Sequence, residues 1–203
     1  MFRSYLPFNL LRLLILAVGL ALSSSCKKPF HESAEGTQGM KELIIDQFGN
    51  GRRYGEVILF YDATVGNSVV VSVQNEERPT MIDNWVYLNT PVNVGRQPGK
   101  RSFGRVNVGS IGGWTKKYEK FIDTTAQKYL EVDEIRWDLI PKFYDIAEAD
   151  MISRGVPDPQ LQMLVFGKSS GKLTAIVITT TMGGGSSMTY EFDMDGNMVR
   201  EPM

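Results

Sequence analysis

The chain has 203 residues, 42% of them hydrophobic and 22% charged, with a formal net charge of −1, one histidine and one cysteine. That near-neutral, slightly acidic balance excludes the basic surface that nucleic acid or an acidic membrane would call for. A single cysteine also excludes an internal disulfide, so packing alone must hold the fold together.

Residues 1–25 read as a signal peptide. Arg3 and Arg12 precede or punctuate an apolar run from Leu10 to Leu22, which ends in Ser23-Ser24-Ser25-Cys26. The run falls short of the roughly 20 apolar residues of a transmembrane helix and has the length of a secretory h-region. The small residues before the cysteine resemble the lipobox of bacterial lipoproteins, which implies that Cys26 is acylated and becomes the mature N-terminus. Ser23 stands three residues before the cysteine, where the lipobox has leucine, and Leu22 lies one place further away. Ordinary signal-peptidase cleavage after Ser23 or Ser25 is the alternative, with Cys26 left as a free or intermolecularly paired thiol. Lipidation is preferred because a lone cysteine in an exported protein otherwise lacks a partner. Either way the chain leaves the cytoplasm, and the remaining length can bury roughly 70% of its unfolded surface.

From Cys26 to Gly39 the residues offer little to bury. Residues 26–39 are therefore expected to form a flexible tether, with His31 solvated within it. An N-terminal αβ unit follows over 40–113. Met40, Leu43, Ile44 and Phe48 are spaced for a short helix that stops at Gly49-Asn50-Gly51. Strands are expected at Glu56 to Tyr61, Ser68 to Val73 and Trp85 to Leu88. Pro91 to Gly113 reads as a long irregular connection holding a short strand at Arg105 to Val108. Arg96, Lys100, Arg101 and Arg105 make it basic, but no helix N-terminus or glycine nest stands beside them, so a solvated loop is expected.

The C-terminal unit covers 114–203. Trp114, Tyr118, Phe121, Ile122, Thr125 and Tyr129 fall on one stripe and predict a helix from Thr115 to about Leu130. A second helix is expected after Asp138 as N-cap, with Pro141 in its first turn. Its stripe is Ile140, Phe143, Tyr144, Ala147 and Met151, and Gly155 ends it. Three β-rich runs then follow, Leu161 to Phe166, Leu173 to Thr181 and Met188 to Met194. Lys168-Ser-Ser-Gly171 and Gly183-Gly-Gly-Ser-Ser187 separate them, and Asp195-Gly196 closes the last. The fold class is α+β, an antiparallel sheet with helices packed on it, as two α-β-β-β units in tandem.

Leu161, Met163 and Val165 oppose Leu164 and Phe166, while Ile176 and Ile178 oppose Ala175 and Val177. Both strands are thus apolar on both faces. One helix covers one face, so the N-terminal unit or the Thr115 helix is expected to cover the other, with a partner as the alternative. Recognition would then fall to the Pro91 to Gly113 connection and the Gly183 to Ser187 hairpin.

Chemical motifs are few. Gly167-Lys-Ser-Ser-Gly171-Lys172 has three intervening residues where a phosphate loop has four, and it runs into a strand where that motif needs a helix. Ser169-Ser170-Gly171-Lys172 matches S-x-x-K without the partner motifs of the penicillin-recognising enzymes. Asp193-Met194-Asp195-Gly196-Asn197 lacks the glycine and glutamate places of a calcium loop, and the Gly183 run lies between strands. No zinc ligand set is present, so no metal, no cofactor and no catalytic residue is assigned. Carboxylate chemistry is the one enzymatic route open, with Glu131, Asp133, Glu134, Glu148 and Asp150 available.

The helix and meander ending in Tyr190-Glu-Phe-Asp-Met-Asp-Gly196-Asn-Met-Val199 resemble the PepSY and PepSY-like domains of bacterial envelope proteins. In outline they are also similar to the β-lactamase-inhibitor-protein class, tandem αβ units on an antiparallel sheet. The resemblance implies a non-catalytic binding, inhibitory or structural role, with the membrane as partner through the lipid anchor and an envelope protein as a further partner. An outer-membrane lipoprotein facing the periplasm or the surface fits that role. A carboxylate-dependent envelope hydrolase and an immunity-type lipoprotein that neutralises a toxin are the alternatives.

Overall fold

The computed structural model describes residues 29–62, 66–89, 113–122, 128–169, 171–181 and 187–200. The signal peptide, Cys26, the basic connection with its expected strand at Arg105 to Val108, and most of the Gly183 to Ser187 hairpin lie outside the described residues.

The first helix, α1, spans Ala34–Phe48 and follows a 3-10 turn at Phe30–Glu32. Four strands follow, β1 (Tyr54–Asp62), β2 (Gly66–Gln74), β3 (Met81–Leu88) and β4 (Gly113–Phe121). Two further 3-10 turns, Val132–Glu134 and Trp137–Leu139, lead into α2 at Ile140–Ser153. The chain then forms β5 (Pro159–Ser169), β6 (Lys172–Thr181), β7 (Ser187–Asp193) and β8 (Met198–Arg200).

All eight strands join one antiparallel sheet in the order β4-β3-β2-β1-β5-β6-β7-β8. The tandem α+β arrangement is therefore present, and each unit adds a fourth strand. The units meet edge to edge through β1 and β5, where Val57 faces Phe166 and Leu59 faces Leu164. Both helices cover the same face of the sheet. Met40 and Ile44 of α1 and Ile140, Phe143, Ala147 and Met151 of α2 are buried in one cluster with Val57, Leu59, Val71, Leu164, Val177 and Phe192. Phe143 is fully buried and stacks on Phe192 at 5.0 Å.

The expected intramolecular cover of the second face is not what the described residues show. Val86, Val70, Ile58, Val165 and Ile176 form one half-buried row across five strands there, outside the core cluster. The N-terminal unit widens the sheet, whereas stacking would have hidden this face. A bulge also changes the phase of β5. The register shift between Leu161 and Met163 turns Leu161 inward beside Leu164 and Phe166, against the strict alternation expected.

The helix expected from Thr115 is instead the edge strand β4, paired with β3 from Met81↔Phe121 to Leu88↔Gly113. The open edge of β3 offered partners for the backbone of this whole segment, and the helix-covered face was already filled by α1 and α2. Of the expected stripe, Trp114 packs against Phe48 at 4.9 Å and Ile122 is buried. Tyr118 and Phe121 are 61% and 69% exposed, and Lys116, Lys117 and Lys120 line the edge. Lysines of this kind discourage further strand pairing. Residues 123–127 of the expected helix lie outside the described residues, and Leu130 forms an isolated bridge with Tyr54.

The expected tether is ordered from Pro29 onward. Ser33 caps α1 by accepting from the Gly36 N–H at 3.1 Å, so the helix starts six residues before Met40. Phe30 is fully buried and its N–H donates to Asn67 Oδ1 at 3.0 Å. Gly36 makes this possible, since a Cβ there would sit 2.7 Å from the Phe30 carbonyl oxygen. A composition average hides two aromatic anchors placed side by side. His31, expected in solvent, is 5% exposed.

At α2 the stop is as expected, with Gly155 at φ 80° and the Val156 N–H donating to the Met151 carbonyl. The start differs. The 3-10 turn at Trp137–Leu139 runs directly into α2, and Asp138 accepts two hydrogen bonds from Arg136 where an N-cap was expected.

Candidate functional site: an acidic cleft at His31

The turn ahead of α1 does not stay within its own unit. It leans across onto α2, where the His31 ring packs 4.3 Å from the Tyr144 ring. Phe30 meets the imidazole edge to face at 5.4 Å, and Tyr61 at the end of β1 stands 6.3 Å away. His31, Tyr144 and Tyr61 form the inner wall of a cleft of about 400 Å³.

The outer wall is acidic. Glu32 enters from the 3-10 turn, Asp145 and Glu148 from α2, and Asp158 from the link into β5. Tyr144 and Glu148 share a helix face because they are four residues apart. Asp158, between two prolines, has φ 50°, the one positive value outside glycine among the described residues. Asp tolerates that conformation better than most residues. Leu161, turned inward by the bulge, also lines the cleft.

No lysine or arginine lines the cleft among the described residues. Glu32, Asp145 and Glu148 have no ion-pair partner there either. Asp158 accepts from Gln160 Nε2 at 3.2 Å. The resulting field is felt at Tyr144, whose hydroxyl is pushed up to about 12, first by burial and then by Glu148, Asp158, Glu32 and Asp145. That hydroxyl donates to the Pro159 carbonyl at 3.2 Å.

His31 is held neutral. Burial lowers its pKa to about 4, and Nδ1 lies buried with no hydrogen-bond partner. Leaving such an atom unsatisfied costs roughly 1–3 kcal/mol, so the position is one that packing imposes. The wall therefore presents carboxylates, a neutral imidazole and two aromatic rings. It accepts hydrogen bonds and favours positive charge, and the described residues hold no group of three or more potential metal ligands.

Of the five carboxylates considered for acid-base chemistry, only Glu148 reaches this cleft. Asp133 pairs with Lys41 at 2.7 Å and Glu134 with Lys168 at 2.7 Å. Glu131 and Glu134 close a reciprocal cap on the turn between them. Asp150 pairs with Arg154 at 2.7 Å and accepts from the Tyr190 hydroxyl at 3.0 Å, which together with burial raises the Tyr190 pKa. Glu32, Asp145 and Asp158 were missed in the sequence. The one local signal was Tyr144-Asp145 with Glu148 on the next turn and no basic residue four places on to pair with it. The Asp193 carboxylate accepts from the Asp195 and Asn197 N–H groups and so shapes the turn.

A second cleft of about 210 Å³ between Arg52, Gln74 and Glu76 contrasts with this one. There Arg52 donates to the Gln74 carbonyl and pairs with Glu76, so its polar groups satisfy one another.

No family model and no curated protein matches this chain. Among solved structures it is similar to the crystal structure of a "putative lipoprotein (CD1622)" from Clostridium difficile 630. Identity is 8% over 80% of this chain and 89% of that one, with a TM-score of 0.46. A likeness of that size carries neither the name nor the role of the neighbour to this chain, and its PepSY resemblance finds no support among the matches.

Proposed function

We propose that this chain is a non-catalytic binding protein of a bacterial envelope, anchored by lipid at Cys26 and binding through the cleft at His31. The observation that carries the binding role is the cleft itself, with four carboxylates around a buried imidazole whose Nδ1 has no partner. Four of the five acids open to hydrolytic chemistry are engaged in ion pairs and caps, which supports recognition over catalysis. The apolar run and serine-rich approach to the lone cysteine support the anchor.

Two measurements test this reading. A photocrosslinker replacing the exposed Gln160 on the cleft rim should trap a discrete adduct in intact envelopes. Glu148→Gln with Asp145→Asn should reduce that adduct severalfold, and equal trapping by both would remove the cleft as the binding site. Independently, Cys26→Ala should release the protein from membranes that hold the wild type through a salt wash, since several acyl chains anchor stably where one binds marginally. A wild type that washes off with salt would end the anchor.

A further inference from the structure

The occupant of the cleft can be named by its chemistry. We infer that it is an organic cation rich in N–H donors, an ammonium or guanidinium group that lies in the cleft against the rings of Tyr144 and Tyr61 and is held by Asp145, Glu148 and Glu32. This rests on the reading of the cleft as the binding site.

Three independent features point the same way. The first is charge, since the wall carries four carboxylates and no cation among the described residues, and charge-assisted hydrogen bonds to carboxylates are the strong ones. The second is the aromatic lining. Tyr144 and Tyr61 flank the imidazole at 4.3 and 6.3 Å, and a cation over such rings gains further attraction. The third is the orphan atom. His31 is 95% removed from solvent, lines the cleft, and leaves Nδ1 without a hydrogen-bond partner. In the Nε2–H tautomer that nitrogen is an acceptor, and the partner it lacks is an N–H donor. An anion is disfavoured by the carboxylates and by the ring faces. A bare metal ion fails because the described carboxylates and imidazole do not gather into a ligand set. The chemistry is shared by a free polyamine and by the lysine or arginine side chain of a peptide, and the two sources are separable.

His31 is the only histidine in the chain, so its imidazole protons give a single, unambiguous NMR report on the cleft. The full chain in detergent micelles is titrated with spermidine, with an arginine-containing tetrapeptide amide, and with the same peptide carrying citrulline, the neutral isostere of arginine. The arginine peptide should shift the His31 resonances and bind at least about tenfold more tightly than the citrulline peptide, the scale of one charge-assisted contact. Binding by the peptide alone identifies a basic side chain as occupant, and comparable binding by spermidine identifies a free amine. Glu148→Gln with Asp145→Asn should weaken either by about tenfold or more, with its thermal unfolding as the check on folding. If that variant does not fold, the arginine and citrulline comparison on the wild type decides alone. Equal binding of the two peptides with no spermidine response, or no His31 shift with any probe, overturns the inference. A cleft-dependent crosslink in envelopes would survive that result, so the two readings fail separately.

Discussion

The two turns that precede the helices form an instructive pair. Each leans on the helix of the other unit, Phe30–Glu32 on α2 and Trp137–Leu139 on α1. The C-terminal turns are satisfied internally. Trp137 is buried and its Nε1 donates to the Val132 carbonyl at 2.9 Å, Glu134 caps and pairs, and Arg136 holds Asp138. The N-terminal turn reaches the opposite outcome, with a buried imidazole nitrogen lacking a partner and, among the described residues, no ion pair for Glu32. Packing anchors both turns to a similar degree, and only polar completion separates them. A site that is packed but polar-incomplete is where a ligand has something to contribute.

The comparison can be broken from the apolar side first. Phe143→Ala removes a fully buried ring from the core cluster that also holds Phe30 and Trp137 of the two turns and should cost about 3–5 kcal/mol in chemical denaturation, a large part of ordinary domain stability. A midpoint within error of wild type would detach α2 from the core.

Acid should separate the two turns. The folded His31 pKa of about 4 lies below its ordinary value of 6.5 because of burial, so between those values the unfolded chain binds the extra proton. Stability should therefore fall as pH drops from about 6.5 towards 4, by roughly 3 kcal/mol in full. Glu32, Asp145, Glu148, Asp158, Tyr61 and Tyr144 are the titratable groups around it, and the upper half of that window lies above the usual carboxylate range. His31→Phe should flatten the drop between pH 6.5 and 5, and an unchanged slope in that variant would remove His31 as its source.

A smaller effect tests the anchoring of the N-terminal turn alone. Gly36→Ala forces the Phe30 carbonyl away from a 2.7 Å contact and should cost about 1–3 kcal/mol. Faster amide exchange should appear over residues 30–37 and not over 132–139. The smallest expected change is at Lys168→Met, which breaks a partly exposed pair with Glu134 and should cost less than about 1 kcal/mol. A loss as large as that of Gly36→Ala would show that polar completion is worth more here than packing.

Legibility in the sequence followed the same division. The meander was readable because Met188, Tyr190, Phe192 and Met194 alternate with Thr189, Glu191 and Asp193, and one buried face enforces that period. The Trp114 segment misled because aromatic residues at helical spacing also suit an edge strand, and nothing local states which backbone partner is free. The cleft was illegible for a different reason. Its acids come from a turn and, more than a hundred residues later, from a helix and the link after it, and the feature that joins them is the crosswise contact of His31 with Tyr144. Averaging the composition of residues 26–39 concealed the one pair, Phe30 and His31, that makes the contact.

The β1–β5 junction has a consequence for how the molecule is assembled. It joins Glu56 to Gly167 and Phe60 to Met163, so the middle of the sheet is its most non-local pairing. Such pairings form late, because a long loop must close before any bond rewards it. As the chain is made from its N-terminus, β1 stands ready with one backbone edge unpaired until β5 arrives. That edge is flanked by Val57, Ile58, Leu59 and Phe60, the kind of apolar strand on which another chain can template. Refolding should therefore grow less efficient as protein concentration rises, and an added peptide copying Met163 to Gly167 should compete for the same edge.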